Sequence, residues 1–256
     1  MEAPGRPVHW PATPPRRAPE DLNGLELTWL GHSAFRLRTT DGAVIYLDPW
    51  LQGNPACPAA EQHPARADAV FLTHGHGDHF GDTLDLARRL GAHVFCIHEI
   101  AVYLQAHGVE RVTGLNKGGT VAGPGGVRAT MVDARHSGGL DADGGLLPGG
   151  EPAGWVLAFP DGPTLYHAGD TMLFGDMALV RELWAPEIAF LPIGGHYTMD
   201  PAQAARAARL LGVQTVVPVH FGTFPLLAGT PDELATALSG SGIEVRALVP
   251  GMPVTA

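Results

Sequence analysis

The chain has little cysteine, few basic residues and no long apolar run. Its 2 cysteines, Cys57 and Cys96, stand in unrelated contexts, which predicts neither a disulfide framework nor a cysteine-based zinc site. The 16 lysines and arginines face 26 aspartates and glutamates, and the formal charge of −10 disfavours binding to nucleic acid or to an anionic membrane. No run of about 18 apolar residues and no signal-peptide pattern occurs. We therefore expect a cytoplasmic protein that acts on a small molecule.

The composition divides the chain into a tail and one domain. Residues 1–23 are rich in proline and poor in apolar anchors, which predicts a flexible tail. Residues 24–256 are predicted to form a single α/β domain, because 256 residues with 45% hydrophobic composition can bury one substantial core.

Beyond the tail, strand patterns come first and then alternate with helix patterns. Strands are predicted at 25–30, 34–38, 43–47 and 69–72. Asp200 before Pro201, and Thr230 three residues before Glu233, are typical helix starts. The predicted helices are 82–90, 99–107, 176–183, 200–211 and 231–238. The glycine-rich segment 137–154 is predicted to be a long exposed loop, either bordering an active site or forming a surface insertion.

The densest group of imidazole and carboxylate side chains lies directly after the apolar segment 69–72. His74, His76, Asp78 and His79 place three imidazoles and one carboxylate within six residues, and the intervening glycines allow a tight turn. Burying such a group for stability alone would be costly, because each polar side chain would need a partner. The run therefore predicts part of a two-metal site.

This H-x-H-x-D-H run resembles the motif of the metallo-β-lactamase superfamily, whose members carry a lone His, an Asp and a final His downstream. His136, Asp170 and His220 stand in that order, each after an apolar run. Between residues 25 and 250 the chain is most similar to a branch of uncharacterised metal-dependent hydrolases near the ascorbate-6-phosphate lactonases. The residues that carry this similarity are Gly-His-Ser-Ala-Phe at 31–35, Asp-Pro-Trp-Leu at 48–51, His-Ala-Gly-Asp-Thr at 167–171 and Pro-Ile-Gly-Gly at 192–195. The chain departs from the branch at His196, where members often read G-D-N-x-T-M.

The resemblance implies a four-layer αββα sandwich and two divalent ions. It implies that the first ion is held by His74, His76 and His136, and the second by Asp78, His79 and His220, with Asp170 bridging. Imidazole and carboxylate ligands suit zinc best, with manganese or iron as alternatives. Two ions about 3.5–4 Å apart lower the pKa of a shared water and present hydroxide to a carbonyl or phosphoryl group.

Several further residues are candidates for supporting roles. Asp48, at the end of a predicted strand, either orients a ligand imidazole or is a turn aspartate. His32, His196 and Asp78 are candidate proton donors, although a lone histidine such as His32 or His196 is more often structural. His167 precedes Asp170 by three residues, and its strand pattern permits either direction for its side chain.

We predict a binuclear metal-dependent hydrolase that acts on a small, anionic metabolite. The bond cleaved is a lactone, an ester or a phosphodiester, and a homo-oligomer is possible. The alternative is a non-catalytic module of the same fold that senses a metal or a nucleotide. The complete set of seven predicted ligands favours catalysis.

Overall fold

The computed structural model describes residues 22–255. The predicted tail falls on residues 1–21, which lie outside this range, and on Leu22 and Asn23, of which Leu22 is already buried. The described strands, in chain order, are β1 Glu26–Trp29, β2 Phe35–Arg38, β3 Val44–Leu47, β4 Ala69–Phe71, β5 His93–Ile97, β6 Val112–Leu115, β7 Thr120–Ala122, β8 Arg128–Asp133, β9 Gly139–Ala142, β10 Gly145–Pro148, β11 Ala153–Ala158, β12 Thr164–His167, β13 Ile188–Pro192, β14 Thr215–Val219, β15 Glu244–Val245 and β16 Pro253–Val254.

Fourteen of these strands form two 7-stranded sheets with the same pattern of pairing. The first sheet has the order β16-β1-β2-β3-β4-β5-β6, and the second has the order β15-β14-β13-β12-β11-β8-β7. In the first, the pairs are antiparallel as far as β3 and parallel from β3 to β6. In the second, they are antiparallel from β7 to β12 and parallel from β12 to β15. The two sheets are therefore structural repeats of one another.

Five of the six described α-helices fall where the sequence predicts them, and the short helix Gly77–Phe80 was not predicted. The described helices are α1 Gly77–Phe80, α2 Thr83–Leu90, α3 His98–Ala106, α4 Met177–Trp184, α5 Pro201–Leu211 and α6 Pro231–Ala237. The five predicted helices are confirmed with ends shifted by one residue. Asp200 accepts a hydrogen bond from the Gln203 amide, and Thr230 and Glu233 form the expected capping box. No helix described between residues 22 and 255 has the length and apolarity needed to cross a bilayer.

The sheets pack face to face, with helices on both outer sides. Phe35 of the first sheet stacks on Phe190 of the second with ring centroids 4.2 Å apart, and Phe71 meets Trp155 edge-on at 5.1 Å. Helices α2 and α3 cover the first sheet, and α4 to α6 cover the second around buried Tyr166. The predicted αββα sandwich is confirmed.

The glycine-rich segment is more ordered than predicted. Residues 139–148 form a β9–β10 hairpin closed by Asp143 and Gly144, which have φ of 53° and 77°. An Asp-Gly pair at positive φ is typical of a two-residue hairpin turn, so the prediction of a long loop was wrong for residues 139–148. The hairpin contacts the loop of residues 73–79, which carries candidate metal ligands. The Asp141 amide donates a hydrogen bond to the Gly75 carbonyl at 2.9 Å. A Cβ on Gly75 would lie 2.7 Å from the Gly139 carbonyl oxygen, so only glycine fits there. The segment therefore borders the candidate site. This agrees with the first of the two sequence alternatives, a segment at an active site, and not with a surface insertion.

Candidate metal centre

The candidate ligands lie at one edge of the sandwich because the strands that carry them end there. His74 follows β4, His136 follows β8, Asp170 follows β12 and His220 follows β14. Within each sheet the strands that precede these residues run in the same direction, so their carboxyl ends share an edge. The His220 amide donates to the His32 carbonyl at 3.1 Å, and this hydrogen bond joins the sheets at the site.

Three histidines form what we call the first subsite. His74, His76 and His136 each offer a ring nitrogen within 4.8 Å of the other two. His74 Nε2 lies 3.0 Å from His76 Nδ1, and His74 is buried whereas the other two are half-buried. Burial lowers the pKa values of His74 and His136, and both side chains are therefore neutral and able to coordinate a metal.

The second subsite comprises Asp78, His79 and His220, and His32 stands beside it. One donor atom from each of these four residues lies within 4.8 Å of the others. His220 Nε2 is 3.7 Å from Asp78 Oδ2. Although burial opposes its charge, the carboxylates Asp170 and Asp48 hold the pKa of His79 well above its ordinary value.

Asp170 lies between the two subsites. Its Oδ2 is 3.0 Å from His220 Nε2 and 3.6 Å from His136 Nε2, and its Oδ1 is 3.2 Å from His79 Nε2. Despite these distances, His79 Nε2, His220 Nε2 and Asp170 Oδ1 make no hydrogen bond with any described residue, although all three are buried. Unpaired buried donors and acceptors are costly, and a shared cation would satisfy them. The cluster therefore fits divalent metal binding.

A single buried carboxylate fixes the ring orientation of ligands in both subsites. Asp48 Oδ1 accepts a hydrogen bond from the Thr73 amide at 2.8 Å, and Asp48 Oδ2 accepts bonds from Thr73 Oγ1 at 2.7 Å, His79 Nδ1 at 2.8 Å and His167 Nε2 at 2.9 Å. Burial opposes ionisation, but the contacts with His79 and His167 hold the pKa of Asp48 well below its usual range. Of the two sequence interpretations of Asp48, the structure has the orienting one.

These contacts also fix which ring nitrogen of each histidine would be presented to a metal ion. His79 donates its Nδ1 proton to Asp48, so Nε2 is the ring nitrogen directed at Asp170 and the candidate metal position. The Thr73 hydroxyl donates its one proton to Asp48, so it accepts from His74 Nδ1 at 3.0 Å. His74 Nε2 therefore carries no proton and faces His76 Nδ1 at 3.0 Å. Asp48 therefore acts directly on one subsite and through Thr73 on the other.

His32 is fully buried, and both of its ring nitrogens are engaged. Its Nε2 lies 3.0 Å from Asp78 Oδ2, and its Nδ1 lies 3.0 Å from Thr223 Oγ1. A carboxylate only accepts, so Nε2 carries the proton and the Thr223 hydroxyl donates to Nδ1. Burial lowers the pKa of His32 to about 4, and the ring is neutral.

The structure does not bring His196 into this cluster. The side chain is exposed, its ring packs edge-on against Tyr197 at 4.4 Å, and it lines a cavity of about 490 Å³ with Asp200 and Glu233. Sequence reasoning assigned no role to Thr73, His167 and Thr223, which contact Asp48 or His32. The available signal for His167 was its position at the end of a predicted strand, three residues before Asp170. The pattern of a single strand does not show which face of the sheet the His167 side chain points to.

Comparison with known proteins agrees with this geometry. A family model described as a beta-lactamase superfamily domain matches residues 43–221. The chain is 51% identical over 214 residues to a UPF0173 metal-dependent hydrolase of Koribacter versatilis, covering 84% of this chain and 91% of that protein. It is 46% identical to one from Solibacter usitatus, covering 90% and 99% respectively.

Solved structures show the same relationship. A metallo hydrolase from the hyperthermophilic archaeon Ignicoccus hospitalis superimposes with a TM-score of 0.78 at 40% identity, covering 90% of this chain and 97% of that one. The similarity to the ascorbate-6-phosphate lactonases stays a prediction. The matched family model, the relatives and the cluster of histidines and aspartates lead to one conclusion: the chain belongs to the UPF0173 metal-dependent hydrolases of the metallo-β-lactamase superfamily.

Proposed function

We propose that this hydrolase uses two divalent ions, one in each subsite, to cleave a carbonyl or phosphoryl bond in a small molecule. The observation that carries this proposal is the position of Asp170, whose two oxygens face ligands of both subsites. A carboxylate in that position can bridge two ions. Zinc suits these ligands best, and manganese and iron are the alternatives.

The ions would supply a nucleophilic water of lowered pKa and would polarise the bond that is attacked. The chain's own residues hold and orient these ions. The imidazole nitrogens of His74 and His79 are aimed by Thr73 and Asp48, so the ligands are arranged before any ion binds.

His32 orients Asp78 in this proposal and does not donate a proton to the leaving group. A general acid must reach the substrate, whereas both His32 nitrogens are already hydrogen-bonded inside the protein. The proton for the leaving group then comes from water, either directly or relayed by the Asp78 carboxylate, whose side chain is 23% exposed. A catalytic role for His196 stays a sequence prediction.

The substrate is proposed to be a small lactone, ester or phosphodiester, in keeping with a formal charge of −10 that disfavours nucleic acid and anionic membranes. Catalysis is favoured over a sensing module because the ligand set is complete and the relatives are hydrolases. An anionic substrate, a cytoplasmic location and a homo-oligomer stay predictions.

A metal titration tests the proposal. Chelated protein is supplied with zinc, manganese or ferrous iron in steps, and bound metal and hydrolysis of chromogenic lactone, ester and phosphodiester substrates are measured at each step. We expect activity to rise with the second equivalent and His136→Ala to prevent that rise. His93→Ala is the matched control, since His93 bonds Thr113 outside the cluster. Full activity at one equivalent, or a folded protein that binds no metal, would contradict the proposal.

A further inference from the structure

Large apolar side chains are exposed on the loops that carry the metal ligands. Met172 is 55% exposed, and its amide donates to the Arg135 carbonyl beside His136. Phe224 and Leu226, in the loop after His220, are 38% and 54% exposed. Exposed apolar side chains that are scattered singly are ordinary, so only those that contact one another beside the site indicate a binding surface.

Two of the apolar side chains on these loops form what we call the aromatic wall, Trp50 and Phe224. Trp50 comes from the loop after β3 in the first sheet and Phe224 from the loop after β14 in the second, and their rings stack 5.7 Å apart with an interplanar angle of 20°. His32 meets Trp50 edge-on at 5.2 Å and Phe224 at 5.6 Å. Because the His32 ring is 4.0 Å from that of His220, the aromatic wall stands one side chain away from the second subsite.

Cations are scarce on the same loops. No lysine or arginine occurs in segments 48–58, 72–82, 168–176, 193–200 and 220–230. The Arg135 guanidinium, next to His136, forms ion pairs at 3.6 Å with a carboxylate oxygen of Asp133 and with one of Asp176. The Lys117 ammonium pairs with Asp133 and Glu151. An anionic substituent remote from the metal ions would therefore find no unpaired side-chain cation on these loops.

We propose that the aromatic wall binds an uncharged apolar group next to the scissile bond, so that the preferred substrates are neutral esters or lactones with an alkyl or aryl substituent. This inference rests on the proposed hydrolytic function, narrows its substrate class to neutral carbonyl compounds, and replaces the anionic metabolite predicted from the sequence. Contact with the wall removes apolar surface from water, which favours longer substituents by about two- to fourfold per buried methylene.

A matched series of p-nitrophenyl esters tests the inference by hydrolysis. Acetate, butyrate and octanoate vary the apolar length, and hemisuccinate replaces butyrate by an anion of similar size. We expect the wild type to have a kcat/KM at least about tenfold higher for octanoate than for acetate, and to prefer butyrate over hemisuccinate. Phe224→Ala should reduce the octanoate-to-acetate ratio, and Phe224→Leu should restore part of it. Leu179→Ala, which removes an exposed apolar side chain on α4, is the control and should leave the ratio unchanged.

Binding without hydrolysis separates this inference from the proposed function. Octan-2-one keeps a carbonyl but has no bond to hydrolyse, and 7-oxooctanoate is its anionic counterpart of equal length. Calorimetry of metal-loaded protein should show tighter binding of octan-2-one, weakened by Phe224→Ala at unchanged metal content. If no lactone, ester or phosphodiester is cleaved but this binding is found, the proposed hydrolysis is refuted and the proposed role of the aromatic wall is supported. A preference for 7-oxooctanoate or hemisuccinate, or octan-2-one binding that is absent or insensitive to Phe224→Ala, would overturn the inference.

Discussion

The two subsites differ in charge and in exposure. The first has three imidazoles, two of them half-buried, and no carboxylate of its own. The second contains Asp78 and the two buried histidines His79 and His220, with a neutral histidine, His32, beside it. A divalent ion bound in the first subsite would therefore depend on Asp170 for neutralising charge, whereas the second subsite would supply part of that charge itself. The shared carboxylate makes the subsites interdependent although most of their ligands are separate.

Removal of Asp170, the carboxylate shared by the two subsites, should have the largest effect, because it should weaken metal binding at both. Asp170→Ala should reduce bound metal from near two ions to one or fewer and lower activity by more than the about 10–100-fold expected for a residue that only orients ligands. Elemental analysis and kcat/KM measure both effects. Asp85→Asn, at an exposed ion pair on α2, is the control. Retention of two ions by the folded variant would contradict a bridging position.

Removal of a ligand that belongs to only one subsite should empty that subsite and leave the other occupied. His136→Ala should lose the ion of the first subsite, and His220→Ala that of the second, so each variant should bind about one ion per chain. Cobalt-substituted variants should give two different absorption spectra, because one remaining site has only imidazole ligands of its own and the other includes a carboxylate. Identical spectra would argue against two distinct subsites.

Asp48→Asn should weaken both subsites by less than the loss of Asp170. The amide cannot accept all four hydrogen bonds, so metal affinity should fall by about 10–100-fold at both positions. Because His79 would lose a buried charged partner, the free energy of unfolding of the metal-free protein should fall by roughly 3–5 kcal/mol. Thermal and denaturant unfolding with and without metal measure this. An effect confined to one subsite would show that the Thr73 contact with His74 has no role.

His32→Gln should affect the second subsite alone. If His32 orients Asp78, metal affinity there should fall by about 10–100-fold, and all leaving groups should suffer equally. Thr223→Val, which removes the hydroxyl that donates to His32, should give a smaller change in the same direction. A loss of kcat that grows as the leaving group becomes poorer, at full metal content, would restore the general-acid interpretation.

Acidification should empty the second subsite before the first. Metal binding requires neutral imidazoles, and the pKa of His79 is held well above its ordinary value, so protons compete for His79 first. The pKa values of His74 and His136 are lowered by burial, and these residues remain neutral to lower pH. Equilibrium dialysis between about pH 8 and about pH 5, followed by elemental analysis, should show two steps of metal loss. Simultaneous loss would contradict the difference between subsites.

Local signals in the sequence predicted the features with local causes. The helix that follows Asp200 begins there because Asp200 and Pro201 satisfy its first turn without help from distant residues. The clustering of the candidate ligands from His74 to His79 was predictable because they lie in one run after one strand. The hairpin was missed because the high glycine content of segment 137–154 favoured a loop prediction. The Asp143-Gly144 pair, which is typical of a hairpin turn, was present in the sequence but was not used.

The sequence by itself determined the type of chemistry, the order of the ligands and the class of fold, because each depends on residue type and on spacing along the chain. Only the tertiary structure decided which atoms meet. The four hydrogen bonds to Asp48, the burial of His32 against Asp78 and the stacking of Trp50 on Phe224 join segments from different strands and, for His167 and Phe224, from different sheets. Such contacts depend on strand direction and on the packing of the two sheets, which one-dimensional patterns do not encode.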